Sequence, residues 1–293
     1  MRIGIAGLGK MGAAIAARLL ETGHTLSVWN RSVERAKPLT EAGATLARSP
    51  AELAASCDVI ISMLFDAPAV AAVYRGAEGL LSADIAGKLF IDMSTVRPGV
   101  EQELAAAVEA KGAAFLECPV GGTVAPARSG KLIGLAGGEP TVFERARPVL
   151  EHLCRRLEHV GPTGAGASMK LAINLPLIVF WESFGEAMAL VRHLDRDPAW
   201  LVELFTDTAG GTNVLKARAA AVAAALAGGD GGPPAFDVDA MRKDLRTMAE
   251  EAASRGIDLP LVSRTYEVVD TISREGFGGR DCTYVPAYRA AAR

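Results

Sequence analysis

Lys170 and Asn174 stand four residues apart in the run GAGASMKLAIN (164–174). On a helix that spacing places both side chains on one face. The face is otherwise apolar, and such a setting penalises the charged ammonium, which makes the lysine a usable proton donor. A lysine snorkelling outward from a helix start is the other reading of the same pattern. A second constellation is Gly7-Leu8-Gly9-Lys10-Met11-Gly12, a GxGxxG run that follows the strand-like RIGIA (2–6) directly and opens a helix. In that context it reads as a dinucleotide site. Gly7 permits the tight turn, Gly9 lets the backbone approach a pyrophosphate, and Gly12 lets helix and strand pack closely. The free N–H groups of the helix start would hold the phosphates.

The end of the second strand selects between nicotinamide dinucleotides. An Asp or Glu there holds the two ribose hydroxyls of NAD. This chain has Asn30-Arg31-Ser32. No carboxylate repels a 2′-phosphate, Arg31 offers it a charged fork and Ser32 a hydroxyl, so NADP is expected, with NAD the alternative. Ser94 and Thr95 follow KLFIDM (88–93) and precede Pro98. They stand at the end of a strand, where ligands gather in such sheets, and they are equally suited to capping a helix.

These residues need elements to hold them. TLSVWN (25–30), DVIISML (58–64), KLFIDM (88–93), AAFLECPV (113–120), KLIGLAGG (131–138) and RLEHVG (156–161) read as further strands. Continuous apolar runs of this kind suit a parallel sheet buried on both faces, and helical spacing over 12–22 and 140–153 alternates with them. After the glycine-rich GPTGAGAS (161–168) the texture changes. A long helix is expected over 168–194, with Pro176 as a point of bending, then helices near 198–208, 212–227, 238–255 and 260–275. GGDGGPP (228–234) reads as a surface loop. The expected fold is α/β: a doubly wound Rossmann domain over 1–162 and an all-α domain over 163–293, joined by a long helix.

Five places together resemble the β-hydroxyacid dehydrogenase family, whose relatives include the imine reductases. They are GIAGLGKMG (4–12), Asp92-Met93-Ser94-Thr95, Pro119-Val120-Gly121-Gly122 with ARSGKL (127–132), GAGASMKLAIN (164–174) and Lys243-Asp244. The resemblance covers nearly the whole chain. It implies that Lys170 is the catalytic acid or base and that Asn174 orients it and the substrate. It implies that Thr95 touches the nicotinamide side, that Ser94 touches substrate, that Met63 and Leu64 line the cofactor, and that Lys243 reaches back to it. The family usually has a serine where this chain has Gly121, and a glycine where it has Thr123. Backbone N–H groups of Gly121 and Gly122 can still bind an anion, and Thr123 can offer a displaced hydroxyl.

The 293 residues are 50% hydrophobic with a net charge of −3, which gives no electrostatic grip on nucleic acid or an anionic membrane. The most apolar stretch, 171–181, is too short to span a bilayer, and the N-terminus has no cleavage signal, so a cytoplasmic protein is expected. Cys57, Cys118, Cys154 and Cys282 form no CxxC pair and read as free thiols. No metal site and no Ser-His-Asp triad is visible. The function expected is hydride transfer between NADP(H) and a small β-hydroxy acid or its semialdehyde. An imine reductase is the alternative, and a non-catalytic NADP-binding module the third reading. A homodimer or homotetramer through the long helix is expected.

Overall fold

The computed structural model describes residues 1–230 and 232–291. The chain divides into two units, one from Met1 to Leu171 and one from Ala172 onward. The first unit runs β1 (Arg2–Ala6), α1 (Lys10–Glu21), β2 (Thr25–Trp29), α2 (Lys37–Glu41), β3 (Thr45–Leu46), α3 (Pro50–Ser56), β4 (Val59–Ser62) and α4 (Ala67–Arg75). It continues through β5 (Leu89–Asp92), α5 (Pro98–Glu109), β6 (Ala114–Glu117), β7 (Val120–Gly121), α6 (Val124–Arg128), β8 (Leu132–Gly137), α7 (Pro140–Leu150) and β9 (Cys154–Gly161).

One sheet organises this unit, in the order β3-β2-β1-β4-β5-β6-β8-β7, with β9 beside β8. The strands from β3 to β6 are all parallel. Their alternate residues feed two apolar layers. Ile3, Ile5, Ile61, Ile91 and Leu116 face one layer, and Ala6, Ile60, Phe90 and Phe115 face the other. Each of the large side chains is fully buried, worth about 1.5–3 kcal/mol apiece by transfer, which is why these strands read as unbroken apolar runs.

The parallel pattern does not continue through 113–138 as the sequence suggested. Pro119 separates β6 from the two-residue β7, and β8 pairs antiparallel with both. Residues 122–131, which join β7 to β8, are too few for the crossover that a parallel pair requires. β9 then returns parallel to β8 after α7. The short β3 carried too little apolar sequence to be recognised.

A single long helix, α8 (Ala165–Val191), begins in the first unit and carries the chain into the second, with Pro176 inside it. The second unit is all-helical among its described residues: α9 (Pro198–Thr206), α10 (Asn213–Leu226), α11 (Val238–Ser254), α12 (Pro260–Ile272) and α13 (Tyr284–Ala291). The sequence reading lacked α13. The loop expected over 228–234 includes Gly231, which lies outside the described residues, and the remainder of that run forms neither helix nor strand. The architecture is a doubly wound Rossmann unit and an all-α unit joined by a long helix. All four cysteines are buried free thiols. Among the described residues no helix is long and apolar enough to cross a membrane.

Candidate active site

The glycine run occupies the turn from β1 into α1. Gly7 has φ +99°, a conformation L side chains rarely adopt, and a Cβ there would overlap the Met63 carbonyl oxygen. A Cβ on Gly12 would overlap the carbonyl of Gly7. Gly9 differs from both: nothing lies within 4 Å of the position its Cβ would take. It is also the N-cap of α1, and no side chain caps that helix. The turn therefore leaves open space beside uncapped backbone N–H groups, with the positive end of the helix dipole behind them. A dinucleotide pyrophosphate fits this cradle, and Leu8, Lys10 and Met11 would hold it through the same run.

Asn30 ties the turn to the end of β2. Its Oδ1 accepts the Leu8 N–H at 2.9 Å and its Nδ2 donates to the Ser32 carbonyl at 2.9 Å. The side chain is thus committed to holding the glycine turn against the end of β2. Arg31 and Ser32 beyond it are exposed. Gly7 also abuts the Leu64 side chain, and the Leu64 N–H donates to Ser94 Oγ at 3.0 Å. The structure thus links Gly7, Leu8, Asn30, Met63, Leu64 and Ser94 in one connected set of contacts at the carboxyl ends of β1, β2, β4 and β5. Thr95, half-buried, follows Ser94 there.

Ser94 connects these residues to a buried polar cluster. Asp92 accepts the Ser62 hydroxyl at 2.5 Å, the Ser94 N–H at 2.8 Å and the Ser94 hydroxyl at 3.2 Å. Tyr74 and Ser62 share a hydrogen bond of 2.6 Å. Ser94 is fully buried, so its hydroxyl is engaged with Asp92 and the Leu64 amide. Glu101 and Glu117 are fully buried beside Asp92. Burial raises all three carboxyls above their usual range, and neighbouring carboxyls push Glu101 and Glu117 further up.

Glu117 reaches the start of α8. Its Oε1 accepts the N–H groups of Gly164 at 2.6 Å and Gly166 at 2.8 Å, and its Oε2 accepts that of Ala167 at 3.2 Å. Those are amides with no partner within the helix. Burial pushes Glu117 up to about 7 against these three bonds. A Cβ on Gly166 would overlap the Leu135 carbonyl, so the helix start lies directly on β8. Lys170 follows one turn later and is 8% exposed.

Asn174 lies one turn beyond Lys170 on α8. It is 6% exposed, and its Nδ2 donates to Asp244 Oδ2, within the second unit, at 2.9 Å. The other Asp244 oxygen pairs with Lys243 Nζ at 2.5 Å, and both of these α11 residues are buried. Gly121 and Gly122 stand on and after β7, and Thr123 is exposed at the N-terminus of α6 without capping it. Sequence reasoning gave no role to Ser62, Tyr74, Glu101 or Asp244. Asp244 had a signal, its place beside Lys243, whereas Glu101 in PGVEQEL looks like an exposed acid of a helix first turn. Among the described residues no His, Cys, Asp and Glu side chains group as a metal site would need.

Comparison with known proteins matches the chain in two parts that meet just before α8. Residues 2–161 match the NAD binding domain of 6-phosphogluconate dehydrogenase. Residues 164–288 match the family described as NAD-binding of NADP-dependent 3-hydroxyisobutyrate dehydrogenase. Glyoxylate/succinic semialdehyde reductase 1 of Arabidopsis thaliana is 31% identical over 285 residues, covering 97% of each chain. The structure of the Mycobacterium tuberculosis 3-hydroxyisobutyrate dehydrogenase with L-serine is 28% identical, covers 99% of each chain and superposes with a TM-score of 0.85. The imine reductase from Myxococcus stipitatus in complex with NADP+, 21% identical over 97% of this chain and 98% of its own, shares the fold with a TM-score of 0.62. The chain belongs to the 3-hydroxyisobutyrate dehydrogenase branch of the β-hydroxyacid dehydrogenases, NAD(P)-dependent oxidoreductases acting on hydroxyl and carbonyl groups.

Proposed function

We propose that this protein is an NADP-dependent reductase or dehydrogenase of a small β-hydroxy acid or its semialdehyde, with Lys170 as general acid and base. The carrying observation is Lys170 itself, a lysine 8% exposed near the start of α8. When bound, the nicotinamide supplies or removes the hydride. Lys170 Nζ gives a proton to the forming alkoxide oxygen in reduction and takes it from the hydroxyl in oxidation. Asn174, held by Asp244, orients the reacting group. Arg31 and Ser32 receive the 2′-phosphate, Thr95 borders the nicotinamide side, and Lys243 reaches towards the dinucleotide. Gly121, Gly122 and Thr123 form the substrate end, where the missing family serine favours an acid whose carboxylate is held by backbone N–H groups. Ser94, expected from the sequence to touch substrate, is instead buried with its hydroxyl engaged by Asp92 and the Leu64 amide, and holds the turn that carries Thr95.

The test is Lys170→Met, which keeps length and apolar packing and removes the proton. Turnover should fall by about 10²–10⁴-fold, the usual contribution of general acid–base catalysis, while NADPH binding followed by fluorescence changes little. Retention of more than about a tenth of turnover, above even the weak end of that range, would assign the proton to another group. A panel of semialdehydes, keto acids and cyclic imines separates this reading from an imine reductase, and turnover of any of them separates both from a binding module.

A further inference from the structure

Glu101 is a carboxyl group with no donor of its own. It lies in the first turn of α5, fully buried, and neither of its oxygens receives an N–H or O–H from the described residues. Within hydrogen-bonding reach is another carboxyl, that of Asp92. Two carboxylates in such contact repel, and burial forbids the charge to spread into water. The pair must therefore hold one proton. Its place follows from the donors. Asp92 already accepts from Ser62 at 2.5 Å, from the Ser94 N–H at 2.8 Å and from the Ser94 hydroxyl at 3.2 Å, whereas Glu101 accepts from none. The negative charge belongs on the donor-rich oxygen pair and the proton on the other.

We propose that Glu101 is a positioning residue, a buried neutral carboxylic acid whose O–H donates to the Asp92 carboxylate and so fixes the Ser94–Thr95 turn at the dinucleotide site. With that bond all donors run one way. Tyr74 donates to Ser62, Ser62 donates to Asp92, and Glu101 and Ser94 donate to Asp92 from the other sides. Ser94 is then locked to accept the Leu64 N–H at 3.0 Å, which joins the ends of β4 and β5. The titratable groups facing Glu101 are Asp92 on β5, Glu117 on β6 and Tyr74 on α4. The first two disfavour a charge on it, and burial disfavours that charge most. The proposal rests on the preceding functional reading in one respect only, that the Ser94–Thr95 turn borders the nicotinamide dinucleotide.

Two substitutions in the full-length protein test it. Glu101→Gln keeps the shape and a donor to Asp92, and Glu101→Leu removes the donor. At neutral pH the infrared difference between wild type and Glu101→Gln should contain the carbonyl stretch of a protonated carboxylic acid. Glu101→Gln should bind the dinucleotide within about twofold of wild type, and Glu101→Leu at least about tenfold more weakly, the scale of a lost hydrogen bond to a charged group. Binding is measured with NADPH, and with NADH where wild type prefers it. Absence of the acid band, a Glu101→Gln as impaired as Glu101→Leu, or a Glu101→Leu that binds like wild type would overturn the proposal. Should Glu101→Leu fail to fold, the acid band and Glu101→Gln binding decide. A wild type that shows the band and binds a dinucleotide but reduces no acid or semialdehyde would sink the functional reading and leave this one standing.

Discussion

Asn174 donates its side-chain amide to Asp244 at 2.9 Å, so the residue expected to orient the reacting group is itself oriented from α11. The same carboxylate pairs with Lys243 at 2.5 Å. Both bonds are buried, where a hydrogen bond to a charged partner is worth about 1.5–3 kcal/mol. Asp244→Ala should lower turnover by about tenfold or more and weaken dinucleotide binding, because it releases Asn174 and Lys243 together. Asp244→Asn keeps an acceptor for Asn174 and removes the charge facing Lys243, so its loss should fall on dinucleotide affinity more than on turnover. Steady-state kinetics of the two variants, with dinucleotide titrations, check the split. Equal effects of both variants on both quantities would show that Asp244 acts only through stability.

The glycine turn and the face carrying Lys170 and Asn174 were legible because both depend on local spacing. A strand followed by Gly7, Gly9 and Gly12 specifies a turn, and a four-residue interval specifies a helix face. The buried carboxyls were not legible in this way. Glu101 and Asp92 are nine positions apart, and Glu117 stands opposite Asp92 only through the register of β5 with β6. Periodicity marks Glu101 as a solvated helix acid, and its burial follows from how α5 lies on the sheet. The antiparallel turn of β8 was missed for a related reason. An apolar run gives a strand but not its direction, which here was set by the short connection after β7.

NADP preference is expected from the end of β2. Arg31 and Ser32 are exposed there, and Asn30 is occupied with the Leu8 and Ser32 backbones and offers no carboxylate to a ribose. Arg31→Ala should raise the KM for NADPH by about tenfold or more, the scale of a lost charge-assisted pair to phosphate, and leave that for NADH nearly unchanged. Parallel kinetics with the two dinucleotides measure this. Equal changes would remove Arg31 from cofactor choice.

Gly121 should set substrate choice. Its backbone does not need glycine: a Cβ there would meet Ile133 Cβ at 3.6 Å, an ordinary contact. Gly121→Ser can therefore be accommodated without strain. It should raise activity on small 3-hydroxy acids or their semialdehydes by up to about tenfold, through a hydroxyl hydrogen bond to the substrate carboxylate. Relative rates across a series of acids check this, and an unchanged ranking would place substrate selection elsewhere.

A homodimer or homotetramer is expected through α8. Met169 is 43%, Ile173 45% and Leu190 76% exposed, and together with Pro176 they fall on one broad side of the helix. A second copy of the chain is the occupant expected for that apolar side. Sedimentation should find an oligomer at micromolar concentration, and Leu190→Glu should shift it towards monomer. A monomeric wild type would refute the assignment.

Glu117 should make stability fall as pH rises towards neutrality. Its carboxyl, pushed up to about 7 by burial first, lies above the ordinary value of 4.5. The folded chain therefore holds this proton more tightly than the unfolded chain does. The stabilisation is complete below about pH 4.5, where both states are protonated, and it is lost between there and about pH 7, as the unfolded chain ionises first. The difference in values limits the effect to about 3 kcal/mol. Glu117→Gln carries no titrating proton, and its amide oxygen can still accept from Gly164 and Gly166. It should lose some stability at every pH by turning an amide donor towards Ala167. The informative quantity is therefore the difference in Tm between wild type and Glu117→Gln at several pH values. Asp92 and Glu101 titrate in both proteins and largely cancel in that difference. Wild type should lead by most near pH 5 and by less at pH 8. A difference that stays flat, or widens with pH, would mean that the three amides of α8 hold Glu117 ionised throughout and that the start of the Lys170 helix is insensitive to protonation.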